Sequence, residues 1–182
     1  GNLEEFYSYS NKLPIDKSPA VSQADKLPTN IKARRIALLT ADGVNDSAFT
    51  EIKKQLCDMD ALVNIIAPKH GFVTTKSGDL YPVCESLLTA SSVVFDAVYV
   101  AGGDSIATLS SNADALHFVA EAFKHCKPIG ADADAAELLI KAIPQVELPT
   151  AGVVTDGNLD DFVIAIQKHR FWEREEEPKV PA

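Results

Sequence analysis

The chain has 182 residues, of which 46% are hydrophobic and 24% charged, so its length suits one folded domain with flanking segments. Its formal net charge of -9 opposes binding to a phosphate backbone or an anionic membrane, which argues against nucleic-acid and membrane-surface partners. No apolar run approaches the roughly 18–20 residues of a membrane-spanning helix, and the first residues lack the basic and apolar regions of a signal peptide. We therefore expect a soluble protein, and the sequence leaves its compartment open.

The first 30 residues form a segment of different composition. Pro14, Pro19 and Pro28 stand there among Ser, Asn, Lys and Asp, without a sustained period of 2 or 3.6 residues. This pattern predicts that residues 1–30 are an extended arm or linker.

From Arg34 onward, short apolar runs alternate with helical segments, a pattern typical of βαβ units and of a parallel sheet covered on both faces. The predicted strands are, in chain order, 35–40, 61–67, 93–101, 128–132 and 153–154. The stretch 71–83 predicts a β-hairpin excursion that turns at Ser77 and Gly78. The sequence therefore predicts an α/β fold with a central, mostly parallel sheet.

The helices follow from apolar positions three and four residues apart. The first begins at Asp46 or Ser47, either of which can cap it, and the last begins at Asn158 or just after it. Two further helices are predicted, one around 116–123 and one over 137–142. The residues expected to face the core are Phe49, Ile52, Leu56, Leu116, Val119, Ala120, Phe123, Leu159, Phe162, Val163 and Ile166. Residues 173–182 are predicted to be a solvated tail.

The turn after the predicted strand 128–132 carries Ala133, at the place where a fold of this kind displays a nucleophile. Chemistry at such a turn needs Ser, Cys or Asp, because a methyl group can neither attack a carbonyl nor hydrogen-bond. We interpret this turn as the scaffold of an active site without its reactive atom.

Four aspartates, each at or shortly after the end of a predicted strand, would gather at the carboxyl edge of the sheet, where ligands usually bind in such folds. They are Asp42, Asp104, Asp132 and Asp134. One interpretation is a divalent cation among their oxygens, and another is that Asp104 and Asp134 only cap helices. A receiver-like phosphoacceptor site would also need a Lys after a late strand, which the sequence does not place.

Cysteine and histidine offer little chemistry. The three cysteines, Cys57, Cys84 and Cys126, are odd in number and widely spaced, so we expect buried free thiols rather than a disulfide framework. The four histidines lack metal-ligand spacing and are expected at the surface or at helix ends: His70, His117, His125 and His169.

The order of elements, with a glycine pair after the central strand and a turn two elements later, resembles the class I glutamine-amidotransferase-like superfamily. That resemblance implies a flavodoxin-like three-layer sandwich. Particular stretches are similar to the C-terminal domain of large-subunit haem catalases, and the match covers nearly the whole chain. These stretches are 18–22, 37–45, 124–129, 169–172 and 179–182.

The resemblance also assigns site positions. Active members of the superfamily use a Cys at the turn, an acidic residue in the helix after the first strand, and glycine amides as an oxyanion hole. Here the Cys position falls on Ala133 and the acidic position on or next to Ala48, while Gly102 and Gly103 remain. Their amides could bind an anion, or the glycines could only permit a tight turn.

Haem catalases ligate their iron with a Tyr that follows an Arg by one helical turn, and no Arg-x-x-x-Tyr occurs in this sequence. The resemblance therefore implies that haem and hydrogen peroxide decomposition belong to a longer parent polypeptide. It makes residues 31–172 a non-catalytic domain whose partners are the catalase core and neighbouring subunits of a homotetramer. The expected roles are stabilisation of the enzyme and holding of unfolded client proteins. The alternative is a residual thiol-dependent hydrolase or glyoxalase-type enzyme.

Overall fold

The computed structural model describes residues 28–176. The stretches 1–27 and 177–182, which hold most of the predicted linker and part of the predicted tail, lie outside the described residues. A six-stranded parallel sheet forms the centre, with a small antiparallel hairpin beside it. This architecture confirms the predicted α/β class and the hairpin excursion.

Within residues 28–176, eight strands make up the two sheets. They are β1 (Arg35–Leu39), β2 (Leu62–Ala67), β3 (Phe72–Thr74), β4 (Leu80–Pro82), β5 (Glu85–Ser86), β6 (Ala97–Val100), β7 (Ile129–Ala131) and β8 (Val153–Val154). The large sheet has the order β5-β2-β1-β6-β7-β8, and β3 pairs with β4. Because all strands of the large sheet are parallel, their carboxyl ends meet at one edge.

Within residues 28–176, four α-helices lie between strands and a fifth follows the last strand. They are α1 (Asp46–Asp58), α2 (Ser105–Ser110), α3 (Ala113–Lys124), α4 (Ala136–Ala142) and α5 (Leu159–Lys168). Three short 3₁₀ turns span Ser92–Val94, Ala133–Ala135 and Trp172–Glu176. Within residues 28–176, every helix is too short or too polar to cross a lipid bilayer.

Side chains alternate between the two faces of the sheet and build two cores. On β1, Ala37 and Leu39 belong to the core that includes α2, α3 and α4, whereas Ile36 and Leu38 belong to the core that includes α1 and α5. This is the period of two that a pleated strand imposes. The core-facing helix residues predicted from sequence are buried, except that Leu116 and Leu159 are partly buried.

The strand predicted over 93–101 is wrong in its first half. The β6 strand starts at Ala97, and Val93 and Val94 lie in a 3₁₀ turn with 63% and 47% of their surface exposed. An apolar run alone does not mark the start of a strand, because a strand begins where it can pair with its neighbour in the sheet. Here the first residue of β6, Ala97, pairs with Ile36 near the start of β1.

The beginning of α1 is joined to the hairpin. Asn45 precedes the helix without a side-chain cap, so neither predicted cap is correct. Asp46 in the first turn instead accepts hydrogen bonds from the Ser77 amide and hydroxyl. The hydrogen bonds from the side chains of Ser77 and Thr75 lower the pKa of Asp46 to about 2. The last helix begins as predicted, since the Asn158 side chain accepts from the Asp161 amide at 3.2 Å.

The C-terminal segment packs into the domain. Arg174 is only 4% exposed, and its guanidinium carbon lies 4.8 Å from the ring centroid of Phe123 and 5.1 Å from that of Phe171. Its Nε donates to the Ala151 carbonyl at 2.6 Å and its Nη1 to the Lys127 carbonyl at 2.8 Å. The prediction of a solvated tail is therefore wrong at Arg174, because distant aromatic rings and carbonyls bury it.

We expect Arg174→Met to lower the free energy of unfolding by roughly 2–4 kcal/mol, because two carbonyls lose a charged donor. Urea unfolding followed by far-UV circular dichroism measures this. The matched control is Lys54→Met, which removes only an exposed ion pair with Asp58 and should change stability by less than about 0.5 kcal/mol. Equal, small effects of both changes would contradict the structural role of Arg174.

Candidate functional site

The glycine pair after β6 touches the loop between β1 and α1. A Cβ on Gly103 would lie 2.6 Å from the Gly43 carbonyl oxygen and 2.7 Å from the Asn45 nitrogen, and the Gly103 φ is +113°. The Asn45 amide donates to the Gly102 carbonyl at 3.1 Å. Glycine is therefore required here for both its backbone conformation and this close approach.

The two glycine amides are bound to carboxylates of the chain itself. The Gly102 amide donates to Asp132 Oδ2 at 2.7 Å, and the Gly103 amide donates to Asp134 Oδ2 at 2.9 Å. The Asn45 side-chain amide adds a third donor to Asp134 Oδ2 at 3.3 Å. The Asp134 carboxylate also fills the space that a Cβ on Gly102 would need. The amides that an oxyanion hole would use thus have acidic partners within the fold.

Asp132 also holds a buried tyrosine that the sequence analysis did not single out. The Tyr99 hydroxyl donates to Asp132 Oδ1 at 2.6 Å. Tyr99 lies on β6, and its ring crosses Gly130 on β7, where a Cβ would be 2.6 Å from the ring. Burial, followed by the hydrogen bond to Asp132, raises the pKa of Tyr99, so the phenol remains a donor. A glycine opposite the only tyrosine of the central strand is the sequence signal for this contact.

Ala133 lies where predicted, between β7 and α4. It begins the 3₁₀ turn after the strand and is exposed, presenting a methyl group. Ala48 lies in the first turns of α1 and is half-buried. The catalytic roles that correspond to these two positions remain predictions from the resemblance.

The four aspartates do not form a common cation site. Asp132 and Asp134 bind the glycine loop, whereas Asp42 accepts from the Thr74 amide at 2.8 Å and Asp104 forms an exposed ion pair with Lys76 at 3.2 Å. No three His, Cys, Asp or Glu side chains of residues 28–176 gather as metal ligands would. Helix capping explains neither Asp104, whose side chain makes no cap bond, nor Asp134.

The thiols are less buried than predicted. Cys126 is buried, but Cys57 and Cys84 are exposed, because the first lies on the outer side of α1 and the second precedes the edge strand β5. Burial raises the pKa of the Cys126 thiol, which disfavours the thiolate that a hydrolase would use.

His169 ends α5 and contacts a charged group at the amino edge of the sheet. Its Nε2 lies 3.0 Å from Asp96 Oδ1. Burial and the positive charge of Arg170 lower the pKa of His169 despite this carboxylate. Burial opposes ionisation of Asp96, but the Arg35 amide and His169 outweigh it and lower the pKa of Asp96. This pairing fits the predicted helix-end position of His169.

Solved structures define the class of fold. The chain is similar to a ThiJ/PfpI domain protein from Brachyspira murdochii, with a TM-score of 0.64, 15% identity, and coverage of 75% of this chain and 95% of that one. It is also similar to a two-domain protein from Anabaena variabilis with DJ-1/ThiJ/PfpI-like and ferritin-like domains, with a TM-score of 0.58, 22% identity, and coverage of 60% and 33%. The domain therefore has the flavodoxin-like ThiJ/PfpI fold.

Sequence comparison identifies the family. The C-terminal domain found in long catalases matches residues 32–176, and the chain belongs to this family. Relatives include catalase HPII of Mycobacterium avium, 39% identical over 91% of this chain and 26% of that protein. Catalase HPII of Pseudomonas aeruginosa is 34% identical over 95% of this chain and 25% of that protein. Catalase-1 of Neurospora crassa is 33% identical over 87% of this chain and 26% of that protein. The chain thus spans about a quarter of the length of these relatives.

We expect Asp132→Ala to lower the free energy of unfolding by about 1–3 kcal/mol, because the buried Tyr99 hydroxyl and the Gly102 amide lose their acceptor. Chemical unfolding of this variant, of Tyr99→Phe and of the double variant measures the coupling. The double variant should lose less free energy of unfolding than the two single variants added together, because both changes remove the same hydrogen bond. The control Asp134→Ala should cost less, since Asp134 is exposed. Strict additivity of Asp132 and Tyr99 would contradict the contact.

Proposed function

We propose that this chain is an accessory, non-catalytic domain that stabilises a longer haem catalase. The upstream part of that polypeptide would hold the haem and decompose hydrogen peroxide to water and oxygen. The family assignment supports the association with a catalase core. The observation that carries the non-catalytic role is the binding of both glycine amides by Asp132 and Asp134, beside the methyl group of Ala133.

The tyrosines of residues 28–176 are poorly placed to ligate haem iron, which supports the proposal that haem binds to another part of the longer polypeptide. Within residues 28–176 the tyrosines are Tyr81 and Tyr99. The Tyr81 hydroxyl lies 3.1 Å from Thr50 Oγ1, and the Tyr99 hydroxyl is bound to Asp132. Both rings pack edge-on against phenylalanines, at centroid distances of 5.0 and 5.2 Å.

Deletion of residues 31–182 from the longer catalase should lower the temperature at which half of its peroxide-decomposing activity is lost, by several degrees. The physical reason is the loss of the stabilising contacts that a folded, inert domain adds to the assembly. Residual activity after stepwise heating measures the effect. The matched point variants in the full polypeptide are Arg174→Met, which should shift the temperature in the same direction, and the exposed Lys141→Gln, which should not. An unchanged temperature after deletion would contradict the stabilising role.

A second proposed role is the holding of unfolded client proteins. It is supported by large apolar side chains at the amino edge of the sheet. Val93 and Trp172 are each 63% exposed and line one cleft, and Val94 is 47% exposed. Apolar surface of this kind is what an unfolded client would contact.

The full 182-residue chain in excess should keep a heated client enzyme in solution, because the client's exposed apolar segments would bind Val93 and Trp172. Light scattering of the mixture measures this. Val93→Lys combined with Trp172→Lys should restore most of the turbidity, whereas Lys141→Gln should leave the protection intact. Equal turbidity with and without the chain would eliminate the holding role.

A further inference from the structure

A cleft of about 360 Å³ lies at the amino end of β7, at the edge of the sheet opposite to the glycine loop. Lys124, Lys127 and Arg170 line it, together with Glu175 and the apolar side chains of Val93 and Trp172. Three cationic residues face one carboxylate residue there. In a chain of net charge -9, this cleft is a local concentration of positive charge.

Lys127 is a buried cation that has no carboxylate partner among residues 28–176. It is 2% exposed, and its ammonium donates to the Ser92 carbonyl at 2.5 Å. Within the described part of the chain, no carboxylate oxygen lies within 4.0 Å of that nitrogen. Lys127 and Val93, the residue after Ser92, both line the cleft. A buried charge with no counter-ion is costly, and an anion in the cleft would relieve that cost.

The acidic groups nearest to Lys127 already have cationic partners. Asp96 pairs with Arg34 at 3.3 Å and with His169 at 3.0 Å. Glu121 pairs with Lys124 at 3.5 Å and lies 3.8 Å from His125. Burial and the charge of Arg170 lower the pKa of Lys127 to about 8, so its amine is still mainly protonated at pH 7. The positive charge therefore persists under neutral conditions.

Arg170 adds a second cation to the same cleft. Its Nη1 donates to the His169 carbonyl at 2.8 Å, and it has no carboxylate oxygen within 4.0 Å among the described residues. A guanidinium retains further N–H donors after one such bond, and it binds carboxylates well. The exposed rings and methyl groups of Trp172 and Val93 supply an apolar surface beside these charges.

We propose that this cleft is a binding site for a small organic carboxylate with a short apolar body. The carboxylate binds Lys127 and Arg170, and the apolar body lies against Trp172 and Val93. Glu175 also lines the cleft, and its negative charge would repel a ligand that carries two or more negative charges. This inference does not depend on haem or on peroxide decomposition.

Hexanoate titrated into the full chain tests the site through the fluorescence of Trp172, which is the single tryptophan of the sequence. We expect a saturable change in emission. The Kd should rise at least about tenfold in Lys127→Met and in Arg170→Gln, because each loses a charge-assisted contact. Lys127→Met removes a buried unpaired charge and should fold, and Arg170→Gln provides a second variant in case it does not. The matched control Lys141→Gln, on the exposed face of α4, should keep the Kd unchanged.

Two further probes separate the contributions of charge and apolar body. 1-Hexanol, which lacks the carboxylate, and acetate, which lacks the apolar body, should each bind at least about tenfold more weakly than hexanoate. A linear, non-saturating response to hexanoate, equal binding of 1-hexanol, or an unchanged Kd in both cleft variants would overturn the proposal. Hexanoate binding is measured on this chain alone, whereas the stabilising role is measured as heat resistance of the catalase, so either proposal can fail without the other.

Discussion

Two hydrogen bonds at the carboxyl edge of the sheet organise this domain: the Gly102 amide donates to the Asp132 carboxylate, and the Gly103 amide donates to the Asp134 carboxylate. They join the loop after β6 to the turn after β7, and the Asn45 side chain extends the contact to the loop after β1. Such bonds between an ionised acceptor and backbone donors are stronger than neutral ones. Three neighbouring strands of a parallel sheet thus have their ends held by a few short contacts.

The same contacts determine what this edge can do chemically. In the superfamily that the sequence resembles, glycine amides at this place serve as an oxyanion hole beside a reactive Cys. Here Ala133 offers a methyl group, and the chain's own carboxylates take the amides. Tyr99 also helps to hold Asp132 in place, because its hydroxyl donates to the second carboxylate oxygen, Oδ1. The methyl group of Ala133 and the binding of both glycine amides are two separate features that agree with the proposed accessory role.

The amino edge of the sheet has a different character. All four arginines of the chain belong to segments at this edge, as do the buried Lys127 and the exposed Trp172. Arg174 satisfies carbonyls and packs between aromatic rings, so it acts in stability. Lys127 and Arg170 lack carboxylate partners within 4.0 Å among the described residues, and both line the same cleft. The two edges therefore differ: carboxylates bind the glycine amides at the carboxyl edge, whereas cationic residues line a cleft at the amino edge.

The sequence by itself determined the alternation of strands and helices, the helix faces that carry Phe49 and Phe162, the Asn158 cap and the turn at Gly78. These features depend on neighbours within a few residues, so local periodicity and turn chemistry specify them. It also located Ala133 and the glycine pair, because each directly follows a strand.

Only the tertiary structure decided which acceptors the amides of Gly102 and Gly103 bind. From the local sequence, an aspartate after a strand can equally well cap a helix, bind a cation or accept a hydrogen bond from a distant amide. It likewise decided the exposure of Val93 and the burial of Arg174. Both depend on partners far along the chain, namely the start of β1 and the rings of Phe123 and Phe171, which only the folded packing brings into contact.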